Sequence, residues 1–289
     1  MININEIKEC RKTDLQKNAA VACQGVEGAY SQTAAKAVFE NPDIIYMRTF
    51  DGVFRAVDKG LCRYGILPVE NSNAGSVTAV YDLMRIYNFY IVRSVKISIE
   101  HALLANEKIA AEKIKEIYTH EQAAAQCGKF IEENPHIKLN ICGNTAAAAK
   151  FVAESARTDI AAIASENCAD LYNLTILKKS VQNNKNNYTR FICISKTCEI
   201  FDNADKISLM LTLEHKAGAL YEVMKQFAEL RINLTKLESR PIQNTDFEFM
   251  FYFDIQENIE NENIYDLMLR LNQNSIQFAF LGNYSEINA

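Results

Sequence analysis

The order of apolar runs constrains this chain more than any other feature. Between residues 19 and 195, short aliphatic stretches alternate with segments of helical spacing. Strands are predicted at 19–23, 44–49, 64–69, 114–118, 139–142, 160–164 and 189–195. Helices are predicted at 29–40, 52–59, 77–86, 121–133, 146–154 and 166–172. Alternation of this kind builds α/β layers. A long extended run at 90–104 divides the pattern, and a polar run at 182–187 reads as a loop before the chain returns. Two α/β lobes are therefore expected, with crossings near 90–104 and 180–195 and a cleft between the lobes. Ligands usually occupy such clefts.

The pattern changes after 201–206 (FDNADK), a predicted boundary. Elements at 207–213, 219–230, 233–238, 247–255, 263–271 and 276–280 follow the order βαββαβ, the ferredoxin-like arrangement. The predicted domains are a short leader at 1–18, a two-lobed domain at 19–200 and a small domain at 205–289. Within the second, lobe one takes about 19–100 and 188–200, and lobe two about 101–187. A four-stranded sheet of this kind leaves an edge and one face open, which favours association. A homodimer or homotetramer is expected.

Composition narrows the function classes. With 289 residues, 48% hydrophobic and 23% charged, the chain can bury a sizeable core. A net charge of −5 gives no overall attraction for nucleic acid or an anionic membrane, so any anion must be held by local charge. No export signal or membrane-spanning run is evident, and a cytoplasmic protein is expected. The eight cysteines form no C-x-x-C pair, and the four histidines show no ligand spacing. Reduced core cysteines and no metal site are expected.

Four polar clusters fall at strand ends or helix starts. Gly25-Val26-Glu27-Gly28-Ala29-Tyr30-Ser31 opens a helix where backbone N–H groups can hold an anion, but it is not a dinucleotide fingerprint. Pro68-Val69-Glu70-Asn71-Ser72 gathers a carboxylate, an amide and a hydroxyl at a strand end. In Thr119-His120-Glu121-Gln122, Thr119 and Gln122 fit a capping box, with Gln126 and Cys127 following. Gly143-Asn144-Thr145 caps an Ala-rich helix, and Thr189-Arg190-Phe191 opens a strand with a planar donor fork suited to a carboxylate.

In this order the clusters resemble one family, prephenate dehydratase with a C-terminal ACT domain, from about Ala19 to about Gly282. The family's Gly-x-x-Gly-(Thr/Ser)-(Phe/Tyr)-Ser, Pro-(Ile/Val)-Glu-Asn-Ser and Ser-His-x-Gln…Gln-Cys resemble the first three clusters. Its Thr-Ala-Ala-Ala, Ala-Ala-Ile-(Ala/Gly)-Ser and Asn-x-Thr-Arg-Phe resemble Thr145-Ala146-Ala147-Ala148, Ala161-Ala162-Ile163-Ala164-Ser165 and Asn187-Tyr188-Thr189-Arg190-Phe191. Its Gly-Ala-Leu and Glu-Ser-Arg-Pro resemble Gly218-Ala219-Leu220 and Glu238-Ser239-Arg240-Pro241. Ala29, Thr119, Ala217 and Arg231 depart from the usual residues. A left-handed helix cap at Arg231 costs about 1 kcal/mol, so a differently built turn is predicted there.

The resemblance implies a periplasmic-binding-protein-like catalytic domain that converts prephenate to phenylpyruvate for phenylalanine synthesis. It needs no cofactor or metal, because aromatisation drives loss of water and carbon dioxide. It also implies feedback by L-phenylalanine, bound near Gly218, Ala219, Leu220, Glu238, Ser239 and Arg240. The candidate catalytic residues are Thr189, Glu70, Asn71, His120 and Gln126. Candidate substrate contacts are Arg190, as a carboxylate clamp, with Ser31, Ser72, Thr119, Thr145 and Phe191. The proton donor stays open between Thr189, Glu70 and His120. Rival readings are an arogenate dehydratase and a non-catalytic amino-acid-binding protein.

Overall fold

A computed structural model describes residues 4–10, 15, 17–108, 110–242 and 248–289. The chain begins with a short 3-10 helix, Ile4–Cys10. The first lobe contains β1 (Ala20–Gln24), α1 (Tyr30–Val38), β2 (Asp43–Met47), α2 (Phe50–Asp58), β3 (Tyr64–Asn71), β4 (Gly75–Ser76), α3 (Thr78–Tyr87) and β5 (Tyr90–Ser98). The second lobe contains β6 (Ala102–Ala105), β7 (Glu116–Thr119), α4 (Glu121–Gln126), α5 (Gly128–Glu132), β8 (Lys138–Ile141), α6 (Thr145–Glu154), β9 (Ile160–Ala164), α7 (Asn167–Tyr172) and β10 (Thr175–Lys178). The return strand is β11 (Tyr188–Ser195). The third unit contains β12 (Lys206–Thr212), α8 (Ala219–Glu229), β13 (Leu234–Pro241), β14 (Phe249–Ile255), α9 (Glu262–Gln273), β15 (Gln277–Tyr284) and β16 (Glu286–Asn288).

The first sheet runs β16-β5-β11-β3-β1-β2, with β4 paired to β3. β11 is wedged between β3 and β5, antiparallel to both. The second-lobe sheet runs β10-β6-β9-β7-β8, and the third runs β13-β14-β12-β15. This last order, from a βαββαβ chain, is the ferredoxin-like one. The extended run at 90–104 resolves into β5 and β6, joined through Ile99–His101 at the crossing between lobes. The helix predicted at 121–133 breaks at Cys127, whose backbone leaves helical geometry at φ −108°, ψ 20°.

Burial explains the layering. α1 packs on one face of the first sheet through Ala34, Ala35 and Phe39 against Ile66, Ile97 and Cys193. The opposite face packs on α2, α3 and the third sheet, where Leu67 and Ile192 share a core with Met210, Tyr252 and Leu281. Each such large side chain gains about 1.5–3 kcal/mol by leaving water. The predicted leader is not free of the body, because Ile4, Ile7 and Cys10 join the core formed by α8 and α9. Among the described residues, no helix is long and apolar enough to cross a membrane.

Candidate active site

β3 and β11 pair with Thr189 opposite Asn71 and Arg190 opposite Glu70. Side chains alternate between faces along a strand, so neighbours serve opposite sides. Thr189 and Phe191 line the cleft between the lobes. The pairing slips between Arg190 and Phe191, where β3 carries an extra residue. That bulge keeps both Pro68 and Asn71 on the cleft, with Val69 in the opposite core.

This geometry corrects two site assignments. Arg190 is no clamp in the cleft: its guanidinium donates to Asp254 on β14 at 2.6 Å and lies 3.6 Å from Glu70. Glu70 also faces the third unit, with its carboxylate 2.8 Å from the Lys236 ammonium on β13. Two hydroxyl assignments change as well. The Ser72 hydroxyl is exposed and accepts from the Tyr188 N–H at 2.9 Å, tying the crossing strand to β3. Thr119 stays in β7, fully buried, and donates to the Ile163 carbonyl at 2.8 Å. The capping box is therefore not formed. His120 caps α4 instead, its Nδ1 accepting from the Gln122 N–H at 3.2 Å.

The cleft encloses about 510 Å³. Asn71, Thr189 and Phe191 come from the first sheet, Ala29 and Ser31 from the start of α1. Across from them stand His120 and Gln126 of α4, and Asn144 and Thr145 at the start of α6. None of the described lining residues is Lys or Arg. Positive potential comes instead from two helix N-termini, α1 and α6, whose first-turn N–H groups lack intrahelical acceptors. Ala29 caps α1 without a side-chain hydrogen bond, and Asn144 caps α6 by accepting from the Ala147 N–H at 2.7 Å. The arrangement suits anionic groups.

Asn71 is the hub of the cleft floor. Its Oδ1 accepts from the backbone N–H groups of Asn73 at 3.0 Å and Ala74 at 2.9 Å, which fixes the amide. Its Nδ2 therefore donates, at 2.9 Å to Thr189 Oγ1 and at 2.9 Å to Asn187 Oδ1. Thr189 Oγ1 is thus an acceptor toward Asn71, and its own proton is left for the cleft. Ser31 is spoken for differently, since its hydroxyl donates to the Gln24 carbonyl at 2.7 Å. Among the described residues neither hydroxyl is hydrogen-bonded to a histidine, so no activated nucleophile is assembled. Burial pushes the Cys127 thiol up to about 12, which makes it inert.

Two buried residues behind the cleft were not among the candidate site residues. Asn187 lies two positions before Thr189 but sits at the end of an Asn-rich run that reads as loop. His101 is the buried polar residue immediately before the apolar run of β6. The regulatory candidates do not form one site within a chain. Gly218 and Ala219 line a pocket of about 500 Å³ at the start of α8. Ala219 and Leu220 line another of about 110 Å³ with Phe251, which is cross-strand from Ser239. Glu238 and Arg240 turn the other way, accepting from Ser76 at 2.7 Å and donating to Asp82 at 3.1 Å.

Comparison with known proteins agrees with this architecture. The family model described as prephenate dehydratase matches residues 21–199. Arogenate dehydratase/prephenate dehydratase 2 of Arabidopsis thaliana is 35% identical over 279 residues, 91% of this chain and 72% of the plant protein. A solved prephenate dehydratase from Arthrobacter aurescens, in complex with L-Phe, superposes with a TM-score of 0.83 at 27% identity, covering 92% of this chain and 90% of that one. A structure described as GqqA, a novel type of quorum quenching acylase, is 29% identical with a TM-score of 0.82, covering 92% of this chain and 97% of that one. By the family match over the cleft-bearing lobes, this chain belongs to the prephenate dehydratase family.

Proposed function

We propose that the chain removes water and carbon dioxide from prephenate to give phenylpyruvate, the dehydratase step of phenylalanine synthesis. The observation that carries the mechanism is the Asn71–Thr189 hydrogen bond, which leaves the threonine proton facing the cleft. There it hydrogen-bonds the departing ring hydroxyl. A threonine hydroxyl is too weak an acid to deliver a full proton. Glu70 is turned away, and His120 remains in the cleft. Because His120 Nδ1 already accepts from the Gln122 N–H, the ring is the neutral Nε2–H form, which hydrogen-bonds the departing hydroxyl beside Thr189 while the proton that completes the water comes from solvent in the cleft. The helix N-termini of α1 and α6 hold the two carboxylates. Apolar walls such as Phe191 and Val77 keep the leaving carboxylate poorly hydrated, which favours its loss.

The third unit is an ACT-type regulatory domain, and phenylalanine is its ligand. Gly218, Ala219 and Leu220 of one copy meet the exposed side of β13, around Ser239, of a second copy in a dimer or tetramer. Support comes from the ferredoxin-like order and from the open pockets at the start of α8. The site cannot close within one chain.

Purified protein is expected to form phenylpyruvate from prephenate, and phenylalanine to suppress it. Arogenate run in parallel separates the two dehydratase readings. Thr189→Ala is expected to lose at least about a hundredfold in kcat with an unchanged circular dichroism spectrum. A near-normal rate in that variant, or no turnover of either substrate by the parent, would overturn the mechanism or the function respectively.

A further inference from the structure

The hydrogen bonds that start at Asn71 continue to the far side of the cleft, and each donor is dictated by the one before. Asn187 Oδ1 accepts from Asn71, so Asn187 Nδ2 is the atom facing Gln126, 2.9 Å from its Oε1. That oxygen also lies 2.9 Å from His101 Nε2. An amide oxygen only accepts, so His101 must carry its proton on Nε2. Two backbone N–H groups, at Asn73 and Ala74, thereby set a histidine tautomer four side chains away.

We infer that His101 is a positioning residue of the dehydratase, held as the Nε2–H tautomer so that Gln126 shows the cleft its amide N–H groups and not its oxygen. Gln126 Oε1 then has both lone pairs filled, by His101 and Asn187. Its Nε2 has no acceptor among the described residues, in a side chain that lines the cleft. An anionic substrate is attracted to those hydrogens and repelled by an oxygen. His101 is itself rigidly set, 2% exposed, at the crossing between lobes. Its N–H donates to Gln182 Oε1 at 3.0 Å, and its carbonyl accepts from the Val181 N–H at 2.9 Å. The remaining ring nitrogen, Nδ1, is buried without a partner. Protonation there would place an unpaired charge in the core, and burial accordingly holds the imidazole below its ordinary range.

The inference rests on the dehydratase reading for its kinetic consequence, but the tautomer is readable without turnover. Nitrogen-15 labelling of the four histidines gives long-range proton–nitrogen spectra, with His101 assigned by its loss in His101→Gln. The expected spectrum is the neutral Nε2–H form. In kinetics, His101→Leu is expected to lower kcat/KM at least tenfold. His101→Gln places an amide N–H near the Nε2 position and is expected to stay within about threefold of the parent. An Nδ1–H or doubly protonated His101 at neutral pH overturns the inference whatever the variants do. So does His101→Leu with parental kcat/KM, or His101→Gln as impaired as His101→Leu. Absence of turnover in the parent, with the Nε2–H form observed, would count against the function while leaving the hydrogen-bond polarity standing.

Discussion

Arg231 holds φ at 55°, left-handed, at the end of α8. The Ile232 N–H reaches back to the Phe227 carbonyl at 2.9 Å, and the Arg231 N–H to Ala228 at 3.1 Å. This is the Schellman pattern, so the turn is built as a glycine would build it, contrary to the different turn expected from the side chain. Satisfying the last carbonyls outweighs roughly 1 kcal/mol of Cβ strain. Arg231→Gly is therefore expected to stabilise the protein by about 1 kcal/mol, read as a raised urea midpoint at constant slope. Other residues were less legible for a related reason. Helix starts and strand ends show in the sequence, and together with the family resemblance they picked out Ser31, Asn71, His120, Gln126, Thr145, Thr189 and Phe191, all of which line the cleft. The sequence does not show which way a side chain at a strand end points. Glu70, Ser72 and Arg190 lie beside cleft residues and face elsewhere.

At the scale of elements, β3 and β11 work as a two-sided pair. One side offers Asn71 and Thr189 to the cleft, and the other offers Glu70 and Arg190 to the third unit. Arg190 and Asp254 are both largely buried, at 15% and 8% side-chain exposure, and Ser208 donates to the second Asp254 oxygen at 2.6 Å. Removing one partner of such a pair strands a charge. Asp254→Ala is expected to destabilise by about 3 kcal/mol. Arg190→Met alone is expected to cost similarly, and the double variant less than the sum, with a coupling of at least about 1 kcal/mol by denaturation. The same Arg190→Met variant separates pairing from substrate clamping. Its KM is expected to stay within about threefold of the parent, whereas loss of a carboxylate clamp would raise KM far more. Helices and central strands of this fold were legible from period and length. The missed strands, β4, β10 and β16, are two, four and three residues long. Strands that short are held by pairing and carry too few residues to show a period.

At the scale of the whole molecule, the last residues of the third unit are stitched into the first lobe. Lys206, at the start of β12, reaches Glu286 at 2.6 Å, and the same carboxylate accepts from Ser94 on β5 at 2.7 Å. β16 then joins the first sheet, parallel to β5, with Ile287 beside Val95. A boundary placed at 205 from composition could not show this, because the unit's last residues belong to another sheet. At Gly282 the third unit lies directly against the backbone of β5. Its φ is +144°, and an added Cβ would sit 2.1 Å from the Ile91 carbonyl oxygen, a backbone atom that cannot step aside without moving β5. Gly282→Ala is expected to push the third unit off the first sheet and destabilise by at least about 3 kcal/mol. Gly60→Ala is a control for backbone strain alone, since Gly60 has φ +72° with nothing within 4 Å of an added Cβ, and should cost about 1 kcal/mol. Limited proteolysis distinguishes the two. Cleavage in the connecting segment 201–205 should accelerate in Gly282→Ala and not in Gly60→Ala. Equal cleavage in both would mean that β15 does not hold the units together at Gly282. The core shared by Leu67, Ile192, Met210 and Tyr252 would then have to carry the docking.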